Sequence, residues 1–225
     1  MPVPQPVRLF HITAVTNLPA ICAAGALQPK NLTAKRGGTY KNIAYQGAQG
    51  KRASKALPNP PGGVMHDYVP FYFAPRSPML SAIHSGKVPH CPGGQGDIVH
   101  LETTIDKALA NGQPYVFFDR NATLDYSEPY TDVASLHEIA WDLLTESPQL
   151  DGYCKYFQNR ANGRYADRTE RRMAEFLVQG LVPLSSIVRI GVISLETQAQ
   201  VAAILATAGV RLAVDVMTDW YFLGQ

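Results

Sequence analysis

Four stretches of this 225-residue chain set groups able to do chemistry inside apolar or β-favouring sequence. They are Leu9-Phe10-His11-Ile12-Thr13 with Asn17-Leu18-Pro19 after it; Lys51-Arg52 in a glycine-rich basic loop; the aromatic run from Tyr68 to Leu80; and Arg171-Arg172-Met173-Ala174-Glu175-Phe176-Leu177-Val178. In a strand, His11 and Thr13 share a face, so an imidazole and a hydroxyl can together bind a sugar hydroxyl or an amide; alternatively the histidine fixes a turn. Glu175 stands between Ala174 and Phe176, where a carboxylate is costly unless it is paired, hydrogen-bonded or at the edge of a cleft. If the run is a strand, Met173, Glu175 and Leu177 share a face. If it is a helix, Glu175 pairs with Arg171 or Arg172.

Charge is divided unevenly. Residues 1–66 carry eight Lys or Arg and no Asp or Glu, leaving 12 basic and 18 acidic residues beyond, so a first part at +8 precedes a remainder at −6. This asymmetry points to an anionic ligand, a nucleotide or a nucleic acid, handled by the first part. A phosphate loop of the G-x-x-x-x-G-K-[ST] kind fails at Gly50-Lys51, because position 45 is Tyr45 and position 52 is Arg52. The zinc-deaminase pattern fails as well, with His137-Glu138 and a lone Cys91 after His90. Cys22, Cys91 and Cys154 are far apart and odd in number, so neither a disulfide framework nor a metal site is expected. No local pattern selects a glycosidase pair of carboxylates. No apolar run reaches the roughly 18 residues of a membrane span, and the opening MPVPQPVRLF lacks a signal-peptide pattern, so a soluble cytoplasmic protein is expected.

The elements that must position these groups are short. Arg8 to Ile12 reads as a strand, and Thr16 or Asn17 can cap a helix that presents Leu18, Ile21 and Cys22 and stops at Gly25. Glycines and prolines from Gly37 to Gly63 indicate a long functional loop region with room for a short helix. Tyr68 to Phe73 reads as a strand, Met79 to His84 as a helix entered by proline, Ile98 to Thr103 and Tyr115 to Phe118 as strands around a helix from Ile105 to Ala110, and Leu136 to Leu144 as a helix. Ser185 to Ser194 is strand-like, Thr197 to Ala208 helical, and Val210 to Val216 with Trp220 to Leu223 supplies the last strands. The expectation is one α+β domain over residues 1–225 with a mainly antiparallel or mixed sheet.

Taken together and in this order, the His-Ile-Thr strand, the Asn-Leu-Pro helix start, the arginine-bearing basic loop, the Y-V-P-F-Y-F-x-P-R-S-P-M stretch and the A-E-F-L-V strand resemble the DarT family. That family comprises toxins of bacterial toxin–antitoxin pairs that ADP-ribosylate bases in single-stranded DNA. The resemblance covers most of the chain. It implies a diphtheria-toxin-like or PARP-like ADP-ribosyltransferase fold with a split sheet, NAD as substrate, and thymidine as the expected acceptor. It also implies Glu175 at the reacting ribose, and His11 and Thr13 at the nicotinamide or its ribose. Arg52 suits a phosphate oxygen because its planar fork is permanently charged. Asn17, as a cap of the helix lining the pocket, and Tyr45 and Tyr72, as stacking rings, complete the expected NAD-binding set.

For DNA, residues 153–172 interleave Lys155, Arg160 and Arg164 with Tyr153, Tyr156, Phe157 and Tyr165, a pattern in which cations follow phosphates and rings stack bases. Arg76 and Met79 are expected to add contacts from the opposite wall. The resemblance further implies a macrodomain antitoxin of the DarG kind as partner, and a monomer is expected. Guanosine, RNA or protein as acceptor, and a non-catalytic nucleic-acid-binding module, are the alternatives.

Overall fold

The computed structural model describes residues 2–44, 46–145 and 163–222; the side chains of Gln46 and Arg164 lie outside that description. Its frame is a sheet in the order β10-β9-β4-β1-β3-β7-β5-β6, made of β1 (Arg8–Ala14), β3 (Tyr68–Tyr72), β4 (Ile98–Thr104), β5 (Tyr115–Asn121), β6 (Pro129–Tyr130), β7 (Ala174–Gln179), β9 (Arg189–Val192) and β10 (Ala213–Val216). Neighbours run antiparallel except β9 and β10, which are parallel and so need a crossover, supplied by the helix Leu195–Thr207. A small second sheet joins β2 (Ala26–Leu27) to β8 (Val182–Pro183). This is the α+β class with a mixed sheet.

The sheet opens between β1 and β3. β1 pairs with β4 along its whole length, from Arg8↔Thr104 to Ala14↔Ile98, yet meets β3 at the single registered pair Phe10↔Tyr72. Pro70 explains the gap. Its carbonyl faces β1, where it accepts from His11 Nδ1 at 2.9 Å. In a strand the nitrogen of a residue faces the same side as its carbonyl, and a proline nitrogen has no hydrogen to give. β1 and β3 therefore splay, while β3 stays fully paired with β7 from Tyr68↔Gln179 to Tyr72↔Glu175.

Alternation along β1 divides the core. Leu9 packs in the larger apolar cluster, whereas Phe10, Ile12 and Ala14 pack in a second one around Leu80, Ile83 and Trp220. The helix α1 (Leu18–Ala24) follows at once and ends on Gly25, whose φ of 64° is the left-handed turn that glycine accepts without strain.

Several expectations are corrected. The stretch from Gly37 to Gly63 holds the short helix for which it left room, α3 (Gln46–Ser54), and an unanticipated helix, α2 (Lys30–Lys35), precedes it. Leu136 to Leu144 is not one helix: a 3-10 segment, Val133–Glu138, precedes the short helix Trp141–Thr145, with the break at extended Ile139. The helix after Thr104 is a single turn, Ile105–Ala108, and the strand expected over Ser185 to Ser194 shrinks to Arg189–Val192 because Leu184–Ser186 forms a 3-10 turn. Trp220 to Phe222 is not a strand. Instead it plugs the second core cluster, with Tyr221 donating its hydroxyl to the carbonyls of Ile98 and Gly191.

Candidate functional site

Of the Arg171 to Val178 run, Ala174 onward resolves as the strand β7, after a helical turn that ends at Arg171. β7 lies between β3 and β5, and Glu175 sits opposite Tyr72 on one side and Phe118 on the other. A central strand buries its side chains, so Glu175 is only 3% exposed, and an isolated carboxylate there would be costly. Arg52 supplies the partner: its Nη1 donates to Glu175 Oε1 at 2.8 Å. Neither Arg171 nor Arg172 does so. Arg171 Nε donates to Asp167 at 2.7 Å, and Arg172 is buried with its guanidinium on the carbonyls of Leu143 and Arg76.

Arg52 reaches Glu175 because α3 ends there. Lys55, just past the helix, donates to the Leu124 carbonyl at 2.7 Å and lies over the Phe118 ring, while Lys30 Nζ from α2 donates to Gln49 Oε1 at 2.8 Å. Burial works to lower the Arg52 pKa, but the charge of Glu175 and its hydrogen bond outweigh that and raise it. The Tyr72 phenol is pushed up, first by burial and then by Glu175, so it stays protonated beside the pair.

In front of this pair lies a cleft of about 570 Å³, bounded by β1, the loop after α2, α3 and β3. Its described lining includes Lys30, Arg36, Lys41 and Arg52 and no acidic residue, over a largely apolar floor. Such a volume, with polar and cationic side chains around an apolar floor, fits a dinucleotide carrying a pyrophosphate. Among the described residues, no three His, Cys, Asp or Glu side chains converge as a metal site.

His11, Thr13 and Asn17 all line this cleft. The carbonyl of Pro70 can only accept, so His11 carries its proton on Nδ1 and leaves Nε2 as an acceptor; burial lowers its pKa, partly opposed by that hydrogen bond. Asn17 corrects the capping expectation. Its side chain makes no cap hydrogen bond to α1 and instead clamps the loop, with Nδ2 donating to the Lys41 carbonyl at 2.9 Å and Oδ1 accepting from Lys41 N–H at 2.7 Å. Nδ2 also donates to Thr13 Oγ1 at 3.0 Å, which leaves the Thr13 hydroxyl hydrogen available to a ligand.

Met79, expected on the DNA side, lines this same cleft, whereas Arg76 is half-buried and not among the cleft residues. Tyr45, Tyr153, Lys155 and Arg160, and the side chain of Arg164, lie outside the described residues. Lys30 and His66 are among the cleft residues that escaped the sequence reading. The available signal was their position in the acid-free first part, His66 being two residues ahead of the aromatic stretch.

The family described as ssDNA thymidine ADP-ribosyltransferase, DarT, matches residues 10–222. A DNA ADP-ribosyl transferase of Thermus sp. (strain 2.9) is 34% identical over 97% of this chain and 98% of its own length. That of Escherichia coli O127:H6 is 32% identical over 97% and 95%. Among solved structures, Thermus sp. 2.9 DarT in complex with ADP-ribosylated ssDNA superposes with a TM-score of 0.85 at 33% identity, covering 99% of both chains. The same Thermus protein in complex with NAD+ gives 0.81 at 32% identity, over 98% of this chain and 100% of that one.

Proposed function

The chain belongs to the DarT family of single-stranded-DNA thymidine ADP-ribosyltransferases, and from that premise we propose that Arg52, His11 and Thr13, with Glu175 behind Arg52, form the part of the cleft where NAD is cleaved. The protein is an NAD-dependent transferase that moves ADP-ribose onto a thymidine base in single-stranded DNA and releases nicotinamide. The contact between Arg52 and Glu175 at the cleft carries the assignment of roles.

NAD supplies a ribose that becomes positively charged as its bond to nicotinamide breaks. Glu175 places a carboxylate behind the cleft where that charge is stabilised, in a site already shielded from water. The same carboxylate can take up the proton that the attacking base nitrogen loses. Arg52 has a fork with donors to spare beyond the one given to Glu175, and these suit a phosphate oxygen at the cleft mouth. His11 Nε2 as acceptor and the Thr13 hydroxyl as donor complement the N–H and C=O of a nicotinamide carboxamide. Asn17 holds the Lys41 loop over the same space, and the Tyr72 and Tyr45 rings are assigned to the NAD side.

The acceptor strand is assigned to the basic and aromatic sequence at Tyr153, Lys155, Arg160 and Arg164, together with Arg76 and Met79. A base must be unpaired before a ring nitrogen can attack, which agrees with a single-stranded substrate. A charged adduct on thymidine obstructs copying of the strand, so the activity is that of a toxin, and a macrodomain antitoxin that removes ADP-ribose is the partner its chemistry calls for. The protein acts as a monomer in the cytoplasm, where NAD and DNA meet. Among the described residues no helix is long and apolar enough to cross a membrane.

The test is incubation with NAD and mixed-sequence single-stranded DNA, duplex DNA or RNA, read by mass spectrometry. The expected result is an ADP-ribose adduct on thymidine of single-stranded DNA, absent with Glu175→Ala. An adduct that persists with Glu175→Ala would remove Glu175 from the role given to it.

A further inference from the structure

We propose that His66 is a substrate-binding residue whose neutral imidazole hydrogen-bonds to a ribose hydroxyl or phosphate oxygen of NAD beside the Arg52–Glu175 pair; the proposal rests on the NAD reading of the cleft. His66 lies in the 3-10 turn Met65–Asp67 that leads into β3, and α2 and α3 both pack on that turn. The residue is 8% exposed and lines the cleft. Its Nε2 is shut off from solvent and finds no hydrogen-bond partner among the described residues. An unpartnered buried nitrogen is costly, and a ligand that reaches it as the cleft wall adjusts supplies the missing partner.

The surroundings select the ligand. Lys30 and Arg52 are the neighbouring cations that bear on His66, while Asp67 opposes them. Asp67, however, is committed elsewhere, accepting from Asn31 Nδ2 at 2.7 Å and from the Val64 N–H at 2.9 Å. Burial and the two cations hold the His66 pKa down to about 4, so at neutral pH it offers a neutral ring. A neutral imidazole between two cations adds a directional hydrogen bond where Lys30 and Arg52 provide charge, and this combination suits the oxygens of a nucleotide rather than a cationic or apolar ligand.

The experiment is calorimetric titration of the protein with carba-NAD, a non-cleavable analogue, for wild type, His66→Phe and His66→Gln, with unfolding midpoints alongside. Phenylalanine keeps the ring and removes both nitrogens; glutamine restores an amide near Nε2. Affinity is expected to fall about tenfold in His66→Phe, equivalent to about 1.4 kcal/mol, and largely to return in His66→Gln. His66→Phe should be at least as stable as wild type, because the unpartnered nitrogen is gone. Wild-type affinity should stay flat from pH 5.5 to 8. Equal binding by wild type and His66→Phe would overturn the proposal and leave the NAD reading intact, and so would loss of folding in both variants, which would mark a structural histidine. Failure of wild type itself to bind would overturn the NAD reading.

Discussion

Arg52 and Glu175, 123 positions apart in the chain, meet at 2.8 Å with the guanidinium 14% and the carboxylate 4% exposed. The arginine faces the cleft and the glutamate stands behind it, so a substrate reaches the carboxylate past the arginine. The pair is also a structural liability, because each charge is tolerable in its setting only while the other is present.

Removing one partner should therefore cost stability as well as activity. Arg52→Ala leaves the Glu175 carboxylate buried without its cation and should lower unfolding stability by about 3 kcal/mol, and adding Glu175→Gln should return most of that. Urea titrations of wild type, single and double variants measure this; a double variant no more stable than Arg52→Ala would contradict the pairing.

Transfer to single-stranded DNA should fall by about 10²-fold or more in either Glu175→Gln or Arg52→Ala. Arg52→Lys should recover little, because an ammonium is a point charge and cannot span a carboxylate and a phosphate as a planar fork does. Initial rates of adduct formation decide it. Near-wild-type rates for the lysine variant would reduce the arginine to a generic positive charge.

Asn17→Ser separates the clamp from a cap. Serine is a competent cap residue but cannot both donate to the Lys41 carbonyl and accept from its N–H. We expect the KM for NAD to rise about tenfold with a smaller change in kcat, and a stability loss of about 1–2 kcal/mol from unpaired groups. An unchanged KM would mean that the loop holds its place without Asn17.

Acid should destabilise the fold through His100. It is fully buried, with Nε2 donating to the Pro75 carbonyl at 3.1 Å and the ring edge-on to Tyr221. Burial, partly opposed by that hydrogen bond, drops its pKa to about 4 from 6.5. The unfolded chain binds the proton first, so stability is full above pH 6.5, falls as pH drops toward about 4 by up to about 1.4 kcal/mol per pH unit, and then levels for this group. His66 adds to the same window. Denaturation at pH 7 and pH 4.5 should show a smaller loss in His100→Gln, which keeps a donor for Pro75 and does not titrate; equal losses would exclude His100 as the cause.

Gly191 is small for a packing reason, not a torsional one. A Cβ on it would overlap the Trp220 ring, which is 2% exposed and locked edge-on to Phe10. Gly191→Ala should cost about 1–3 kcal/mol by overpacking, seen as a lower unfolding midpoint. An unchanged midpoint would show that Trp220 can shift.

Much of the fold was readable because strand and helix patterns are local. The alternation of Leu9, Phe10, His11, Ile12 and Thr13 marked both the strand and the face that carries the chemistry, and the proline ahead of Met79 marked a helix start, to which the structure adds a Ser77 cap on Leu80 N–H. Glu175 was conspicuous because a carboxylate flanked by Ala174 and Phe176 needs a reason. α3 was only partly legible: its Gly and Gln content reads as loop, and its helix forms because Arg52, Lys55 and Gln49 are each held by another element. Asn17 was misread because a short amide before Leu18-Pro19 looks like a cap whatever else it can reach.

The amino-acid sequence by itself determined the strand faces, the helix stops at glycine and proline, the acid-free basic first part and the family to which the chain belongs. Tertiary structure alone decided that Pro70 opens the sheet beside His11, that Arg52 and not Arg171 or Arg172 neutralises Glu175, and that His66 closes the cleft wall with a nitrogen left unpaired. The physical reason is range. Periodicity and caps depend on residues a few positions apart, whereas a buried charge pair or an orphaned imidazole depends on which distant segments the closed sheet brings together.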